Sequence, residues 1–553
     1  MAEQQQTAFR NRGADALIAA LEQAGTRTIF ALSGNHIMPV FDAALDHPVK
    51  LIHVRHEAAA VHMADAWARL SGQVGVALVT AGQGHANAAA ALCTTQGGET
   101  PLLLLSGHAP LSELGFGSFQ EQRQAELAAP VTKASWTAQS AASLPDDIAR
   151  ACRIARSGRP GPVHISLPAD VLESDGDLAG ALALDAARFA PEPMPLPKAA
   201  TAQAWTALAD ASRPLVVAPP ALATPSGAAL LARLRAALGV PVVTMESPRG
   251  INDPALGAFA EVLAEADLIL LLGKPLDFTL RFGKAPAVAP QCRWIVIDPE
   301  PELRQRAERL LGERLLFAAG ADARSAASGL SELAAGDTVG HAAWRKQVEA
   351  TIAYRPAAWD ATAPAADTPM HPLVLCRALQ QQLDRRPDSV LVSDGGEFGQ
   401  WAQATLHAPC RVINGVAGAI GPSLPFAIGA KAARPESTVL AVLGDGTFGF
   451  HMAEFDTAMR SGLPFVAVVG NDSRWNAEHQ IQLRHYGPAR TQGCTLAQAT
   501  RYDLVAAGLG GHGEFVRRAA ELPAALDRAF ASGKPACVNV LIEGVAAPVV
   551  RRR

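Results

Sequence analysis

The sequence has 553 residues, of which 49% are hydrophobic and 18% are charged, and its formal net charge is −4. A chain of this composition can build large cores, which excludes wholesale disorder, and its balanced charge excludes the strongly basic surface typical of nucleic-acid-binding proteins. The length predicts three or four domains.

The cysteines and the N-terminal segment bear on the cellular compartment. Seven cysteines are scattered along the chain, and none belongs to a Cys-x-x-Cys pair. This pattern is typical of reduced thiols rather than of a disulfide framework. Residues 1–12 are polar, and no apolar run approaches the length of a membrane span. We therefore expect a cytoplasmic protein with neither a membrane nor a nucleic-acid partner.

Short apolar runs alternate with helical patterns in three successive blocks, as in parallel α/β sheets. In the first block, helices are predicted at 14–24 and 58–70, and strands at 28–32, 51–54, 75–80, 102–105 and 163–167. Strands are predicted at 214–217, 241–244, 268–272 and 294–298 in the second block, and at 389–393, 438–443, 465–469 and 537–542 in the third.

Two proline-rich stretches, residues 190–200 and 355–372, separate the blocks and suit extended linkers. The predicted fold is therefore three doubly wound α/β domains over residues 1–188, 200–340 and 370–553. The sequences of the first and third blocks do not establish whether the two share one architecture.

Acidic residues follow two neighbouring predicted strands of the third block. The strand at 438–443 runs into Gly-Asp-Gly-Thr at 444–447, and a helix follows, with apolar residues at helical spacing from 452 to 459. The strand at 465–469 is followed by Gly-Asn-Asp at 470–472. Ligands collect at the carboxyl edge of such sheets, and carboxylate oxygens suit Mg²⁺. The alternative is an ordinary strand–turn–helix, since glycine and aspartate are common in turns.

Glu57 occupies a similar position in the first block. The predicted strand at 51–54 ends in Arg-His-Glu, and a helix opens with three alanines. A glutamate in a first helical turn is also favourable for dipole reasons alone. The residues therefore leave two interpretations of Glu57 open, one catalytic and one structural.

These motifs together resemble those of the thiamine-diphosphate-dependent enzymes, with acetolactate synthase-like and benzaldehyde lyase-like features. The segment RHEAAAVHMADAWARLSG is similar to the family's glutamate motif, and GDG followed by Asn-Asp resembles its metal and diphosphate motif. The resemblance implies that Glu57 activates the aminopyrimidine ring of the cofactor. It also implies that Asp445, Asp472 and the backbone carbonyl of Arg474 bind Mg²⁺. Asp472 replaces the usual asparagine and adds a negative charge.

Further matches follow in family order at residues 80–87, 119–121, 394–397 and 419–425. They imply that Gln120 faces the reacting centre and that Ile420 props the bent cofactor, although an ordinary core isoleucine needs no cofactor. The remaining cofactor contacts implied by the resemblance are Gly82, Asn87, Gly396, Glu397, Gly444, Gly446 and Thr447. Homodimers or homotetramers are implied as well, with the active site between the first domain of one subunit and the third domain of another.

The choice of substrate rests on fewer residues. His36 lies where benzaldehyde lyase has an active-site histidine, so it is either a proton relay or a structural histidine that caps a βα turn. Residues 276–283 differ from the flavin-binding members and look more like the 2-hydroxyacyl-CoA lyase and oxalyl-CoA decarboxylase branch, which argues against FAD. Glu478 and His479 are either acid–base groups or part of a solvated helix face.

The leading functional hypothesis is a lyase or carboligase that acts on small 2-oxo acids or 2-hydroxy ketones. One alternative is a CoA-thioester lyase or decarboxylase. The other is a catalytically silent, cofactor-binding scaffold. Glu57 argues against the scaffold, because cofactor binding alone does not require activation of the ring.

Overall fold

The computed structural model describes residues 11–333, 340–364 and 369–552. The chain forms two compact units, Met1–Glu192 and Pro193–Arg553. Four predicted features fall partly outside the described ranges: the polar N-terminus, the end of the predicted second domain, the second proline-rich stretch and the last residue of the predicted third domain. Across the described ranges, no helix is long and apolar enough to cross a membrane.

The first unit is built on one parallel sheet. Its strands are β1 (Thr28–Ala31), β2 (Lys50–His53), β3 (Gly75–Val79), β4 (Leu102–His108), β5 (Ala134–Thr137) and β6 (Pro162–Pro168). Its helices are α1 (Gly13–Gln23), α2 (Met38–Ala43), α3 (Glu57–Ser71), α4 (Gln83–Gly97), α5 (Gln124–Ala128), α6 (Leu144–Arg156), α7 (Ala169–Glu173) and α8 (Leu178–Leu182). The strand order is β2-β1-β3-β4-β6-β5. Strands β3, β4 and β6 are buried along their whole length, as expected where helices cover both faces of a sheet.

The second unit contains two parallel sheets. The strands of the first are β7 (Pro214–Ala218), β8 (Val242–Thr244), β9 (Leu268–Leu272), β10 (Arg293–Ile297) and β11 (Leu315–Ala319). The helices around it are α9 (Lys198–Asp210), α10 (Pro225–Leu238), α11 (Phe259–Glu265), α12 (Pro301–Leu311), α13 (Ala323–Leu333) and α14 (Ala342–Ala353). The strand order is β11-β10-β9-β7-β8.

The last sheet carries the predicted metal site. Its strands are β12 (Ser389–Ser393), β13 (Cys410–Ile413), β14 (Thr438–Gly444), β15 (Val466–Asn471), β16 (His512–Val516) and β17 (Ala536–Leu541). Its helices are α15 (Pro372–Asp384), α16 (Gly396–Thr405), α17 (Ser423–Ala433), α18 (Asp445–His451), α19 (Glu454–Ser461), α20 (Asn476–Tyr486), α21 (Tyr502–Gly508) and α22 (Leu522–Ala531).

The strand order of the last sheet is β13-β12-β14-β15-β17-β16. Counted from its own first strand, this is the same order as in the first unit, so the two blocks share one sheet topology. The predicted fold class, parallel α/β sheets with helices on both faces, is confirmed.

Two groups of elements differ from the prediction. Strands β5, β11, β13 and β16 were not predicted; all four lie at sheet edges and are partly exposed, so they lack the continuous apolar run of a central strand. The helix expected after the GDG motif begins earlier, at Asp445, and is divided into α18 and α19. Met452 and Ala453 between them keep right-handed helical dihedrals, so the division is one of hydrogen bonding rather than of direction.

Candidate active site

In the first unit, Glu57 is the first residue of α3 and follows β2 at the carboxyl edge of the sheet. The His56 imidazole Nδ1 accepts a hydrogen bond from the Ala58 amide at 3.1 Å, which caps the helix. The Glu57 side chain is half-buried, and its Oε2 accepts a hydrogen bond from the Asn87 amide nitrogen at 3.1 Å. The structure therefore brings two of the predicted cofactor-binding residues together and leaves the other carboxylate oxygen available.

Gly82 and Gln120 meet at the same edge of this sheet. Gly82 has a φ of +59°, and a Cβ atom built on it would lie 2.9 Å from the Cβ of Gln120. Gln120 also has a positive φ, of +57°, which is rare for a residue with a side chain and marks a locally constrained loop. The loop after β3 and the loop after β4 thus touch where the sequence placed two site residues.

His36 follows β1 in a short 3₁₀ turn and faces the same loops. Its Nδ1 lies 3.4 Å from the Thr80 hydroxyl oxygen, and its ring stacks on that of Phe119 with centroids 6.0 Å apart. Burial lowers the pKa of His36, which favours the neutral imidazole. A structural role for His36 at this turn stays an alternative. A role for His36 as a proton relay stays a prediction.

In the second unit, Asp445 and Asp472 follow the neighbouring strands β14 and β15. Gly444 and Gly470 are paired in register, so the two carboxylates leave the sheet at the same edge. Burial raises the pKa of Asp445 to about 6, and burial together with the charge of Asp445 raises the pKa of Asp472 to about 7. Burial is the largest cause of both shifts.

The donor set fits a hard divalent cation. Asp445 is 2% exposed, and its Oδ2 atom is buried without a hydrogen-bond partner. An unsatisfied buried carboxylate oxygen is costly, and coordination by Mg²⁺ would satisfy it. Within the described ranges, no group of three or more His, Cys, Asp and Glu residues could hold a metal ion. The two aspartates therefore need further oxygen ligands from the backbone or from a bound phosphate.

A cavity of about 270 Å³ at this edge gathers the predicted residues of the second unit. Those that line it are Gly396, Glu397, Ile420, Gly444, Asp445, Gly446, Thr447, Asp472 and Arg474. Ile420 is 36% exposed, which is unusual for an ordinary core isoleucine, and it borders the cavity. Glu478, in the first turn of α20, lines the cavity too, whereas α20 as a whole buries little of its surface.

A buried aspartate shapes the loops around this cavity. Asp394, after β12, is fully buried and accepts hydrogen bonds from the amides of Gly395 at 2.7 Å and of Gly421 at 3.1 Å. These bonds hold the loop that begins α16 next to the loop that carries Ile420. Burial raises the pKa of Glu397, with the Arg249 charge acting in the opposite direction.

Sequence reasoning missed two residues of these sites. Arg249 lies in the loop after β8, in a different sheet, yet it lines the same cavity. Gln124 is 1% exposed, and its side chain accepts a hydrogen bond from the Gly82 amide at 2.8 Å. No local motif marks either residue, because each reaches its site only through tertiary packing. The segment Phe119-Gln120-Glu121 was the nearest available signal for Gln124.

Comparisons with known proteins agree with this geometry. Residues 11–127 match the family model described as thiamine pyrophosphate enzyme, N-terminal TPP binding domain. Residues 394–540 match the corresponding C-terminal TPP binding domain. These two ranges contain every one of the predicted site residues.

Relatives of known name span almost the whole chain. A probable acetolactate synthase of Mycobacterium bovis and the acetolactate synthase large subunit IlvG of Mycobacterium tuberculosis are each 34% identical to it, over 95% of this chain and 94% of the relative. Human 2-hydroxyacyl-CoA lyase 2 is 31% identical, over 96% of this chain and 90% of the relative. Together with the two matching domain models, these similarities show that the chain belongs to the thiamine pyrophosphate-dependent enzyme family.

Proposed function

We propose that this chain is a thiamine-diphosphate- and Mg²⁺-dependent enzyme that makes or cleaves a carbon–carbon bond next to a carbonyl group of a 2-oxo acid or 2-hydroxy ketone. The observation that carries this proposal is the hydrogen bond between Glu57 and Asn87 in the first unit. It stands beside a pair of carboxylates, Asp445 and Asp472, that line one cavity of the second unit. When bound, thiamine diphosphate supplies a nucleophilic carbon and an electron sink. The protein supplies orientation, charge and positions for protons.

The first unit provides the proton-handling groups. Glu57 would hold a proton at the aminopyrimidine ring, and the hydrogen bond from Asn87 fixes the carboxylate for that task. Gly82 would allow the backbone to approach the ring, and Gln120 would border the reacting centre. His36, kept neutral by burial, can take a proton from a substrate hydroxyl and return it.

The second unit provides the anchor for the diphosphate. Asp445, Asp472 and the carbonyl of Arg474 would hold Mg²⁺, while Gly396, Gly444, Gly446 and Thr447 would border the phosphate oxygens. Glu397 would face the same group, and Ile420 would support the bend of the cofactor. No step in this scheme requires FAD.

The family resemblance implies an active site that is shared between subunits. We propose a homodimer or homotetramer in which the first unit of one subunit completes the active site on the second unit of another. Three domains near residues 1–188, 200–340 and 370–553 remain our proposal. All seven cysteines are free, which supports a reducing, cytoplasmic setting.

A second candidate function is cleavage of 2-hydroxyacyl-CoA thioesters. It is favoured by the similarity to human 2-hydroxyacyl-CoA lyase 2 over nearly the full length of both chains. The two functions differ in their need for the CoA moiety: a thioester lyase should turn over a 2-hydroxyacyl-CoA and ignore the corresponding free acid.

The test is turnover of the purified protein with thiamine diphosphate and Mg²⁺. The substrates would be pyruvate, benzoylformate, benzoin, acetoin and a 2-hydroxyacyl-CoA, with products identified by mass spectrometry. Loss of a general acid–base group lowers rates by roughly 10²–10⁴-fold, so Glu57→Gln should lose at least about 100-fold in kcat. Glu173→Gln removes an exposed carboxylate of the same unit and should keep wild-type turnover.

Two outcomes would contradict the proposal. Full turnover by Glu57→Gln with normal cofactor binding would remove Glu57 from the mechanism. A wild-type protein that binds the cofactor but converts none of the five substrates would favour the silent scaffold.

A further inference from the structure

We propose that Asp445 and Asp472 form a dicarboxylate site that binds a divalent cation before the diphosphate cofactor arrives, and that Asp472 is the residue that makes this order possible. The proposal rests on the proposed function only for the identity of the second ligand. The cation site itself is argued from the residues of the second unit.

The first observation is the placement of the two carboxylates. They follow strands whose terminal glycines, Gly444 and Gly470, are paired in register, and both line one cavity. A rigid sheet edge therefore holds both ligands in position without any bound molecule.

The second observation is a buried oxygen without a hydrogen-bond partner, on a residue that lines this cavity. Asp445 is 2% exposed; its Oδ1 accepts a hydrogen bond from the Gly446 amide at 3.0 Å, and its Oδ2 has no partner. Protein groups normally satisfy a buried carboxylate, so an oxygen left free at the wall of a cavity marks a place for a ligand.

The loop at residue 544 lies against the second carboxylate. A Cβ atom on Gly544 would lie 2.7 Å from the Arg474 guanidinium and 3.6 Å from the Asp472 carboxylate, so a side chain at this position would crowd both groups.

The net charge of the ligands distinguishes an Asp–Asp site from an Asp–Asn site. When both are ionised, two carboxylates carry −2 and neutralise a divalent cation fully, so the cation can bind without further anions. One carboxylate leaves a net charge of +1 on the bound cation, and this excess favours binding together with an anionic diphosphate. Replacing Asp472 with asparagine should therefore weaken binding of the cation when no cofactor is present. The same change should make the affinity for the cation depend more strongly on the cofactor, and the affinity for the cofactor depend equally more on the cation.

The experiment titrates Mn²⁺ into the full-length, metal-free protein without any diphosphate and detects free Mn²⁺ by electron paramagnetic resonance. We expect one Mn²⁺ to bind per wild-type chain, and Asp472→Asn to raise the Kd by at least about tenfold, a modest effect for loss of one nearby charge. Glu478→Gln is the control, because it removes one negative charge from the same cavity but leaves Asp445 and Asp472 in place. Its Kd for Mn²⁺ should stay within about twofold of wild type if the effect is specific.

A second titration with saturating thiamine diphosphate should restore most of the Mn²⁺ affinity of Asp472→Asn, because the diphosphate supplies the missing negative charge. Thermal unfolding of the metal-free variants checks the fold: Asp472→Asn should be at least as stable as wild type, since it relieves repulsion with Asp445. The proposal is overturned if metal-free wild type binds no Mn²⁺ without diphosphate, or if Asp472→Asn binds it equally well. Neither result depends on turnover, so failure here leaves the proposed reaction to be judged by its own assay.

Discussion

The side chain of Gln124 ties together three strands of the first sheet at the edge that carries the catalytic candidates. Its Oε1 accepts a hydrogen bond from the Gly82 amide at 2.8 Å, and its Nε2 donates to the Gly107 carbonyl at 3.0 Å and to the Ser166 hydroxyl at 3.2 Å. These three partners follow or belong to β3, β4 and β6. Because Gly82 packs directly on Gln120, this single amide sets the position of a predicted active-site loop.

Replacing Gln124 with leucine should affect both stability and turnover. The change removes the hydrogen-bond partner of the buried Gly82 amide and the bonds to the Gly107 carbonyl and the Ser166 hydroxyl, which should cost roughly 2–4 kcal/mol in the free energy of unfolding. Displacement of the Gln120 loop should also lower kcat by at least about tenfold at a temperature where the variant is folded. Urea unfolding and steady-state kinetics measure the two effects. Gln139→Leu changes an exposed glutamine of the same unit and should alter neither quantity, whereas wild-type kinetics for Gln124→Leu would contradict the positioning role.

Gln124 and Asp445 illustrate which site residues a sequence can predict. Asp445 and Asp472 were predictable because each follows a strongly apolar strand, and neighbouring parallel strands end at one edge of the sheet. Ile420 was identified only through family resemblance. Gln124 and Arg249 could not be predicted, since their partners lie on other strands or in another sheet and their sequence neighbours carry no periodic signal.

At the scale of elements, helix α18 contains two glycines, Gly446 and Gly449, that differ in their surroundings. A Cβ atom on Gly446 would lie 2.6 Å from the ring of Trp475, whereas a Cβ atom on Gly449 would have no atom within 4 Å. Both residues lie in the same helix, so they share the same backbone propensity. The close approach of Trp475 therefore explains a glycine at 446 that turn chemistry alone would not require.

The two alanine variants should separate packing from propensity. Gly446→Ala must push the Trp475 ring toward the cavity, so we expect weaker binding of thiamine diphosphate with Mg²⁺, by about tenfold or more, together with a loss of stability of roughly 1–3 kcal/mol. Gly449→Ala should instead gain about 0.5–1 kcal/mol, as expected for glycine replaced within a helix. Tryptophan fluorescence titration with the cofactor and urea unfolding measure these effects. If the two variants have the same cofactor affinity and the same stability, the Trp475 ring moves aside without affecting either quantity.

The strands also show which elements cannot be predicted from sequence patterns. Central strands such as β3 and β9 were predicted because they are buried on both faces and read as continuous apolar runs. Edge strand β16, His512–Val516, contains His, Gly and Glu, and its side chains are mostly half-buried. It is held by its parallel pairing with β17 rather than by its own composition, so no local pattern could reveal it.

At the scale of the whole molecule, the largest burial-induced pKa shifts among histidines and aspartates fall on histidines in the first unit and on aspartates in the second. In the first unit, burial lowers the pKa of His62 to about 3 and of His85 to about 4, and it lowers the pKa of His164 as well. In the second unit, burial raises the pKa of Asp394, and the pKa values of Asp445 and Asp472 rise to about 6 and about 7. Burial also lowers the pKa of His371 and His407 in the second unit and raises the pKa of Asp147 in the first, so the contrast between the units is one of degree.

This difference predicts that acid destabilises the first unit before the second in the metal-free protein. A histidine with a lowered pKa binds its proton more readily when unfolded, so its contribution to stability is lost as the pH falls below about 6.5; at pH 5 the loss is roughly 2 kcal/mol for His62 and for His85. The raised aspartate pKa values act in the opposite sense, because the folded second unit binds protons more readily than the unfolded chain. Hydrogen exchange at pH 7.5 and pH 5 should therefore show faster opening of β3 and β4 at the lower pH, with β14 and β15 protected.

His85→Leu should reduce the pH dependence of the first unit, whereas His485→Gln, at an exposed position, should not. Equal acid sensitivity of both units would mean that these buried groups are compensated within the folded protein.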